Sequence, residues 1–514
     1  MTDSRTKNTS RNILSGLLNR FATIILTFVN RTVIIYALGT AFSGLGCLFT
    51  SILGILNIAE LGFNVAITQS MYEPIAKNDK HRICELLTLY RKIYYIIGSI
   101  IFLSGITLIP FLHIFIKGDV PQEINLYALY LLYLINTVIS YFLFAYRESL
   151  LLAHQRKDIS DYVRTILLVA KQIIQLIVLC LTKNYYIYLG IELISTIITN
   201  LWISKESKNR YPEYYCLSNT KVRMSDDIKK QVKGLFVGKL CDRARNTLDN
   251  IIISSFLGLT AVAIYDNYYY VYSALYWTML VVCNGMSASI GNSIVTESVE
   301  RNYGILNRLS FIVAWISGWM SICMLCLYQP FMELWMGKQL MLPNSDMMLF
   351  CLYFYAINMN HIKNQYVNGT GIWWEIRKSN VAEAIANLVL NVVLGKMFGI
   401  TGIVLATIIT IVIFNFAWRT KVLFNTYFRN MSYIKYLINH GKWFVTVLLA
   451  AIITYLLCDF IAVNNLILKM IINAVVCIII PNLILIIVYL KNEQFENSKN
   501  LIVKFISTIM KREK

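Results

Sequence analysis

The chain has 514 residues, 57% of them hydrophobic and 15% charged, whereas a water-soluble domain carries roughly 45–50% apolar and about 25% charged residues. Only 7 prolines interrupt it, and its formal charge of +19 sits in short connections between apolar runs, which is a topology signal rather than a nucleic-acid footprint. These features exclude a soluble multidomain protein and a nucleic-acid partner, and they predict an all-α polytopic membrane protein.

Fourteen apolar stretches follow one another, at about 12–38, 42–74, 90–116, 124–153, 160–182, 185–204, 231–258, 262–294, 304–329, 346–371, 381–396, 400–424, 443–460 and 466–490. A crossing takes roughly 20 residues; the eleventh stretch is short and several others are long enough to tilt. Met1–Ser10 is polar and the first stretch carries Arg20 and Arg31, so it does not read as a cleavable leader.

Alternate connections hold the cations. On one side lie Arg5, Lys7 and Arg11; then Lys77, Lys80, Arg82, Arg91 and Lys92; then Arg156 and Lys157. The same side continues with the basic run from Lys205 to Lys230, with Arg377 and Lys378, with Arg429, Lys435 and Lys442, and with the tail at Lys511, Arg512 and Lys514. The opposite connections carry one or two cations each, such as Lys117, Lys183, Lys338 and Lys396. The positive-inside rule then places both termini in the cytoplasm of a bacterial plasma membrane, and an even number of spans agrees with it.

The polar segment 205–230 reads as a linker, ending in Met224-Ser225-Asp226-Asp227, a helix start with Ser225 as cap. It divides the chain into a six-helix bundle over 1–204, a second over 231–424, and two further helices with a tail over 425–514. The turns Ala37-Leu38-Gly39-Thr40-Ala41-Phe42 and Phe256-Leu257-Gly258-Leu259-Thr260-Ala261 open corresponding positions of the two halves, the repeat expected of a transporter. Of the 11 cysteines, most, such as Cys180, Cys283 and Cys351, lie inside apolar runs, and Cys323 and Cys326 form a CxxC in one. They read as small packing residues with no disulfide framework.

Ionisable groups inside spans are costly and usually face a cavity or a partner. Arg20 and Arg31 are three turns and about 20° apart and so share a face of the first stretch, where Arg20 has snorkelling to the interface as its alternative. In the seventh stretch Lys239, Asp242, Arg243, Asn246, Asp249 and Asn250 form one stripe with Arg245 at its edge, either a cavity wall or a buried network. Arg245 is in reach of Asp242 or Asp249 on the same helix. Glu60, Lys171, Glu192 and Lys363 are also deep, while Arg147 and Arg164 lie nearer the span ends. Tyr265, Tyr268, Tyr269, Tyr270 and Tyr272 gather near Asp266; an interfacial aromatic belt is the expected reading, stacking on sugar rings the other. Cations outnumber anions, which suits an anionic cargo such as a lipid-linked phosphate or diphosphate.

Several segments resemble polysaccharide-biosynthesis flippases of the Wzx type, in the multidrug/oligosaccharidyl-lipid/polysaccharide exporter superfamily. They are Arg31-Thr-Val-Ile-Ile-Tyr-Ala-Leu-Gly, Gly44-Leu-Gly-Cys-Leu-Phe-Thr-Ser-Ile-Leu, Ala59-Glu60-Leu61-Gly62, Ser70-Met-Tyr-Glu-Pro-Ile-Ala, and Asp249-Asn-Ile-Ile-Ile-Ser followed by Leu257-Gly258-Leu259. The resemblance implies about 14 transmembrane helices, as two six-helix bundles in a V plus two C-terminal helices, with spans one, two, seven and eight lining a cavity. It implies that Arg20 and Arg31 on the first span and Glu60 on the second line that cavity. The expected substrate-binding set is Arg20, Arg31, Lys239, Arg243, Arg245, Lys171 and Lys363, and the expected ion-coupling or gating set is Glu60, Asp242 and Asp249. Lys171 and Lys363 match no motif and rest on their burial alone.

The function implied is a flippase for an undecaprenyl-diphosphate-linked oligosaccharide. Membrane lipids and a polysaccharide polymerase machinery are its expected partners, and O-antigen, lipopolysaccharide or capsule its pathway. No cofactor, metal or catalytic group is expected. An ion-coupled multidrug exporter is the nearest alternative and should show carboxylates in excess. A membrane polymerase needs catalytic groups on sizeable loops, and the outer loops are short.

Overall fold

Hydrocarbon offers the backbone no water to bond with, so a spanning segment satisfies its own N–H and C=O groups as helix. A computed structural model of the chain describes residues 19, 22–57, 71, 74–75, 77–118, 120–121, 124–154, 156–214, 226–461, 463, 465–492 and 495–496, with the backbone alone at 226–235, 239, 244, 246, 285 and 288. Among the described residues there is no strand. The helices in chain order are α1 (Ala22–Leu38), α2 (Thr40–Leu56), α3 (Lys80–Leu108), α4 (Leu126–Phe142), α5 (Glu148–Ala153), α6 (Lys157–Thr182), α7 (Tyr185–Arg210), α8 (Asp226–Leu257) and α9 (Leu259–Gly285). Then come α10 (Ser287–Thr296), α11 (Val299–Met336), α12 (Asn344–Asn358), α13 (His361–Thr370), α14 (Arg377–Phe398), α15 (Ile400–Thr410), α16 (Arg419–Thr426), α17 (Tyr433–Phe460) and α18 (Leu466–Tyr489). A π-helical stretch, Ile411–Trp418, joins α15 to α16.

Every one of the fourteen apolar stretches contains helix. Among the described residues nine helices are long and apolar enough to cross a bilayer, and ten if the bent pair at α4 and α5 forms one span. Their outer faces carry rows of exposed aliphatics, such as Ile96, Ile100 and Leu103 on α3 and Val445, Leu448, Ile452 and Leu456 on α17. Water would not tolerate apolar surface on that scale; the chain is a multi-pass membrane protein.

Several boundaries differ from the sequence reading. The fourth stretch is not one helix: the chain bends by 48° between Phe142 and Ala145. The tenth is two helices, broken at Met359 and Asn360. The connection read over 205–230 is helical at both ends, because α7 runs to Arg210 and α8 begins at Asp226; the cap proposed at Ser225 lies outside the described residues. Cys84, read as a packing residue, is disulfide-bonded.

Short polar side chains start the helices. Asn125, Asn184 and Asn465 each accept from two backbone N–H groups of the following turn, at 2.9–3.3 Å. Asp79, Ser298 and Ser432 cap α3, α11 and α17, each accepting from one backbone N–H. Each of these side chains satisfies N–H groups that a helix leaves over at its first turn.

The chain divides into two compact units, Met1–Ala263 and Ile264–Lys514. In the first, Leu45, Leu48, Phe49 and Ile52 of α2 pack with Tyr90 of α3 and with Leu129, Tyr130 and Leu134 of α4. In the second, α11 carries the two C-terminal helices. Phe311 and Ala314 meet Trp443 and Val447, and the Trp315 and Trp319 indoles donate to Asn482 Oδ1 and the Cys477 carbonyl, both at 2.9 Å.

Small residues set the closest approaches. A Cβ at Gly44 would lie 2.2 Å from the Leu259 carbonyl oxygen, so α2 meets the first turn of α9 backbone to backbone. Helix association in lipid relies on such contact rather than on expelling water. Gly44→Val should therefore lower the apparent melting temperature of the purified protein, by overpacking on the order of 1–3 kcal/mol. Gly190→Ala, at a position with nothing within 4 Å, should leave it unchanged. Equal midpoints for the two variants would refute the close-packed seam.

Candidate functional site

The first unit joins α1, α2 and α8 through polar contacts. Arg31 of α1 is half-buried and donates from Nη2 to the Ala263 carbonyl at 3.5 Å, with Cys47 Sγ of α2 at 3.7 Å. Asn30 beside it is 2% exposed, and its amide finds no hydrogen-bond partner among the described residues. On α8, Arg243 is exposed and donates from Nε to the Gly54 carbonyl of α2 at 3.4 Å. A side chain at Gly54 would press on that guanidinium, since a Cβ there would lie 3.1 Å from Nη2. One and two turns further, Asn250 Nδ2 donates to Ser51 Oγ at 3.1 Å.

The seventh-stretch stripe therefore splits. Arg243 reaches the surface, whereas Arg245, Thr247, Asp249 and Asn250 are buried. Arg245 is 3.6 Å from Asp242, the first of the two pairings its position allows. Arg20 and Glu60 lie outside the described residues, as does the Lys239 side chain, so no contact is assigned to these three.

Lys171 lies elsewhere in the same unit. Its ammonium is 2.8 Å from Glu192 on α7, and Gln175 donates to the other carboxylate oxygen at 3.1 Å. The pair borders a polar cavity of about 350 Å³ shared with Asn19, Thr23, Ser140, Arg164 and Thr196.

Lys363 belongs to the second unit and is fully buried. Its ammonium donates to Asn360 Oδ1 at 2.6 Å and to the Asn415 carbonyl, and it lies 5.7 Å from the Phe416 ring. Asn415 sits in the π-helical stretch, where a widened turn turns carbonyls away from regular partners. Beside it Arg419 and Glu383 form a buried pair at 2.8 Å, and Asn415 Nδ2 donates to the same carboxylate at 3.3 Å. Glu383 and Arg419 are not in the expected set, although both are ionisable residues inside apolar stretches, the same signal that points to Lys171.

The tyrosine cluster is an interior feature. Tyr265, Tyr268 and Tyr272 are buried, Tyr272 stacks on Tyr353 at 4.6 Å, and the Tyr268 hydroxyl lies 2.5 Å from Gln329 Oε1. The belt reading fails for these three because α11 and α12 cover them. Cys326 meets Cys458 and Cys477 with the three thiols within 4.8 Å of one another, a buried set that could hold a soft metal ion.

A family model described as "Polysaccharide biosynthesis protein" matches residues 9–290. No curated protein matches the sequence. Among solved structures, the lipid II flippase MurJ in an inward closed conformation superposes with a TM-score of 0.67 at 13% identity, covering 93% of this chain and 99% of that one. An inward-facing multidrug resistance MATE transporter of the MOP superfamily gives 0.58 at 14% identity, covering 79% and 96%. A Vibrio cholerae MATE transporter gives 0.54 at 13%, covering 84% and 99%. At these identities the likeness establishes a shared fold.

The Glu383–Arg419 pair makes the second unit's stability testable. Glu383→Gln leaves a buried guanidinium without its counter-charge and should cost on the order of 3–5 kcal/mol, read as a fall in melting temperature. Glu383→Leu with Arg419→Met should cost clearly less. A double variant as unstable as the sum of both single ones would show that the two side chains do not act as a pair.

Proposed function

We propose, starting from a chain that belongs to the polysaccharide biosynthesis protein family, that it moves an undecaprenyl-diphosphate-linked oligosaccharide from the cytoplasmic to the outer leaflet of a bacterial plasma membrane. The observation that carries this reading is Arg243, an exposed cation within an apolar chain, presented beside the glycine-lined face of α2. Arg31, on the neighbouring α1, supplies a second cation to the same set of helices. Guanidinium groups suit diphosphate oxygens geometrically and electrostatically. The headgroup is drawn into this basic region while the polyprenyl tail stays in lipid, and alternating access of a bundle over 1–204 and a bundle over 231–424 releases it outside.

Both termini are cytoplasmic in this scheme, and residues 425–514 add two helices and a tail. Arg20, Lys239 and Arg245 extend the basic set, and Lys171 and Lys363 are its outlying members. Glu60, Asp242 and Asp249 serve coupling or gating. The oligosaccharide is then handed to a polymerase for O-antigen, lipopolysaccharide or capsule.

The MATE likeness keeps an ion-coupled drug exporter as the second reading. Against it, Glu192, Glu383 and Asp242 each have a basic partner within 3.6 Å, whereas a site for organic cations should present carboxylates to its cargo.

Arg31→Ala and Arg243→Ala should each reduce transport at least about tenfold, the loss of one charge-assisted contact, at unchanged protein level. Cells depleted of the protein should accumulate the lipid-linked oligosaccharide where a membrane-impermeant sugar-modifying reagent cannot reach it, and should lose surface polymer. Normal surface polymer and unchanged lipid-linked pools after depletion would move the exporter to first place. Full activity in both well-expressed alanine variants would refute the cationic site.

A further inference from the structure

The second unit brings together cysteines that are far apart in sequence. Cys326 of α11, Cys458 of α17 and Cys477 of α18 are buried, and their three thiol sulfurs lie within 4.8 Å of one another. Cys323, one turn before Cys326 on α11, lies against Cys477 as well. Packing alone accounts for a single cysteine in an apolar core. It does not account for sulfurs gathered from three helices, because sulfur gains no more from sulfur than from the aliphatic and aromatic side chains that fill the rest of this seam.

Neighbouring groups fix where the sulfurs sit. Cys477 lies four residues before Pro481 in α18, so its carbonyl lacks the N–H that a regular helix would supply. The Trp319 indole of α11 donates to that carbonyl at 2.9 Å and holds this turn of α18 against α11. Asn473, one turn before Cys477, donates from Nδ2 to the Cys326 carbonyl at 3.5 Å. Asn473 is 2% exposed, and its Oδ1 has no hydrogen-bond partner among the described residues. A bare buried acceptor next to a thiol cluster calls for a hydrogen-bonding or coordinating group that the chain itself does not supply.

Thiolate sulfur selects soft ions, copper(I) and zinc(II) among them. Zinc–sulfur bonds of about 2.3 Å put the sulfurs of a tetrahedral set roughly 3.8 Å apart. The three convergent sulfurs need to close by no more than about 1 Å to reach that spacing, which small side-chain rotations supply. Each thiol gives up its proton to solvent as its sulfur takes the ion. Charge then chooses between the two ions. A divalent ion leaves less thiolate charge uncompensated in hydrocarbon than a monovalent one, and the Lys469 ammonium of α18 acts on Cys458 to offset part of the remainder.

We propose that this cluster is a structural zinc site, with Cys326, Cys458 and Cys477 as thiolate ligands and Cys323 as the fourth. The ion ties α17 and α18, the two C-terminal helices, to α11. The site includes no residue assigned to transport above, and neither reading depends on the other.

The full chain is purified in detergent with a thiol-free reductant, and its zinc content is measured by elemental mass spectrometry before and after titration with zinc chloride. A parallel titration uses cobalt(II) as a spectroscopic stand-in, and the melting temperature is followed throughout. Stoichiometric zinc that raises the melting temperature, and a thiolate-to-cobalt charge-transfer band, are the expected results. Cys326→Ser and Cys477→Ser should each weaken binding at least about a hundredfold, the upper end of what losing an outer-shell partner costs. Cys180→Ser, at an exposed cysteine of the first unit, should bind like the parent. A folded, reduced parent with neither stoichiometric zinc nor the cobalt–thiolate band overturns the site, whether or not the serine variants fold. So does parent-like binding by either serine variant, or retention of copper(I) to the exclusion of zinc.

Discussion

An ionised side chain in hydrocarbon costs several kcal/mol unless another group answers it, and the interior of this protein is arranged around that requirement. Glu192 is met by Lys171 and Gln175, Glu383 by Arg419 and Asn415, and the buried Arg245 by Asp242. Lys363 takes a side-chain amide and a backbone carbonyl instead of a carboxylate. That carbonyl belongs to Asn415, inside the π-helical stretch. The irregular turn and the buried lysine therefore explain each other: the helix departs from α geometry where a cation needs an acceptor.

Close helix packing does the complementary work in the first unit. Gly44, Ser51 and Gly54 lie on α2 at spacings of seven and three residues, and each meets α8 or α9. Gly44 removes the side chain that would collide with the Leu259 carbonyl, and Gly54 leaves room for the Arg243 guanidinium. The sequence segments around Gly44 and Leu259, which carry the family resemblance, are thus in direct contact. Their small residues are needed because lipid-embedded helices gain from backbone approach what soluble helices gain from burying apolar area.

Helices were legible wherever hydropathy was continuous, and so was membrane residence. What sequence concealed was the break within a span. Phe144 adopts a left-handed conformation that Gly or Asn would have announced, and no such residue marks the bend. The tyrosines of α9 could not be sorted by composition, since an interfacial girdle and an aromatic core use the same side chains; the covering helices α11 and α12 decide it. Cys326, Cys458 and Cys477 converge from three helices across about 150 residues of sequence, a distance no local motif spans. Glu383 and Arg419 lie near span ends, where a charge reads as a boundary until its partner on the next helix is seen.

Partner strength separates structural charges from those suited to a passing ligand. Arg419 holds the buried Glu383 carboxylate at 2.8 Å. That is a charge-assisted bond whose loss would strand a buried counter-ion. Arg243 instead reaches a neutral carbonyl at 3.4 Å from an exposed position. The Gly54 carbonyl is neutral and lies in the last turn of α2, so giving up this contact leaves no orphaned charge behind. A diphosphate oxygen offers the guanidinium a full anionic acceptor for the same geometry. On the proposed reading, the exchange favours a diphosphate ligand on arrival, and on departure the carbonyl again covers the cation, which a cargo that must be released as well as bound requires.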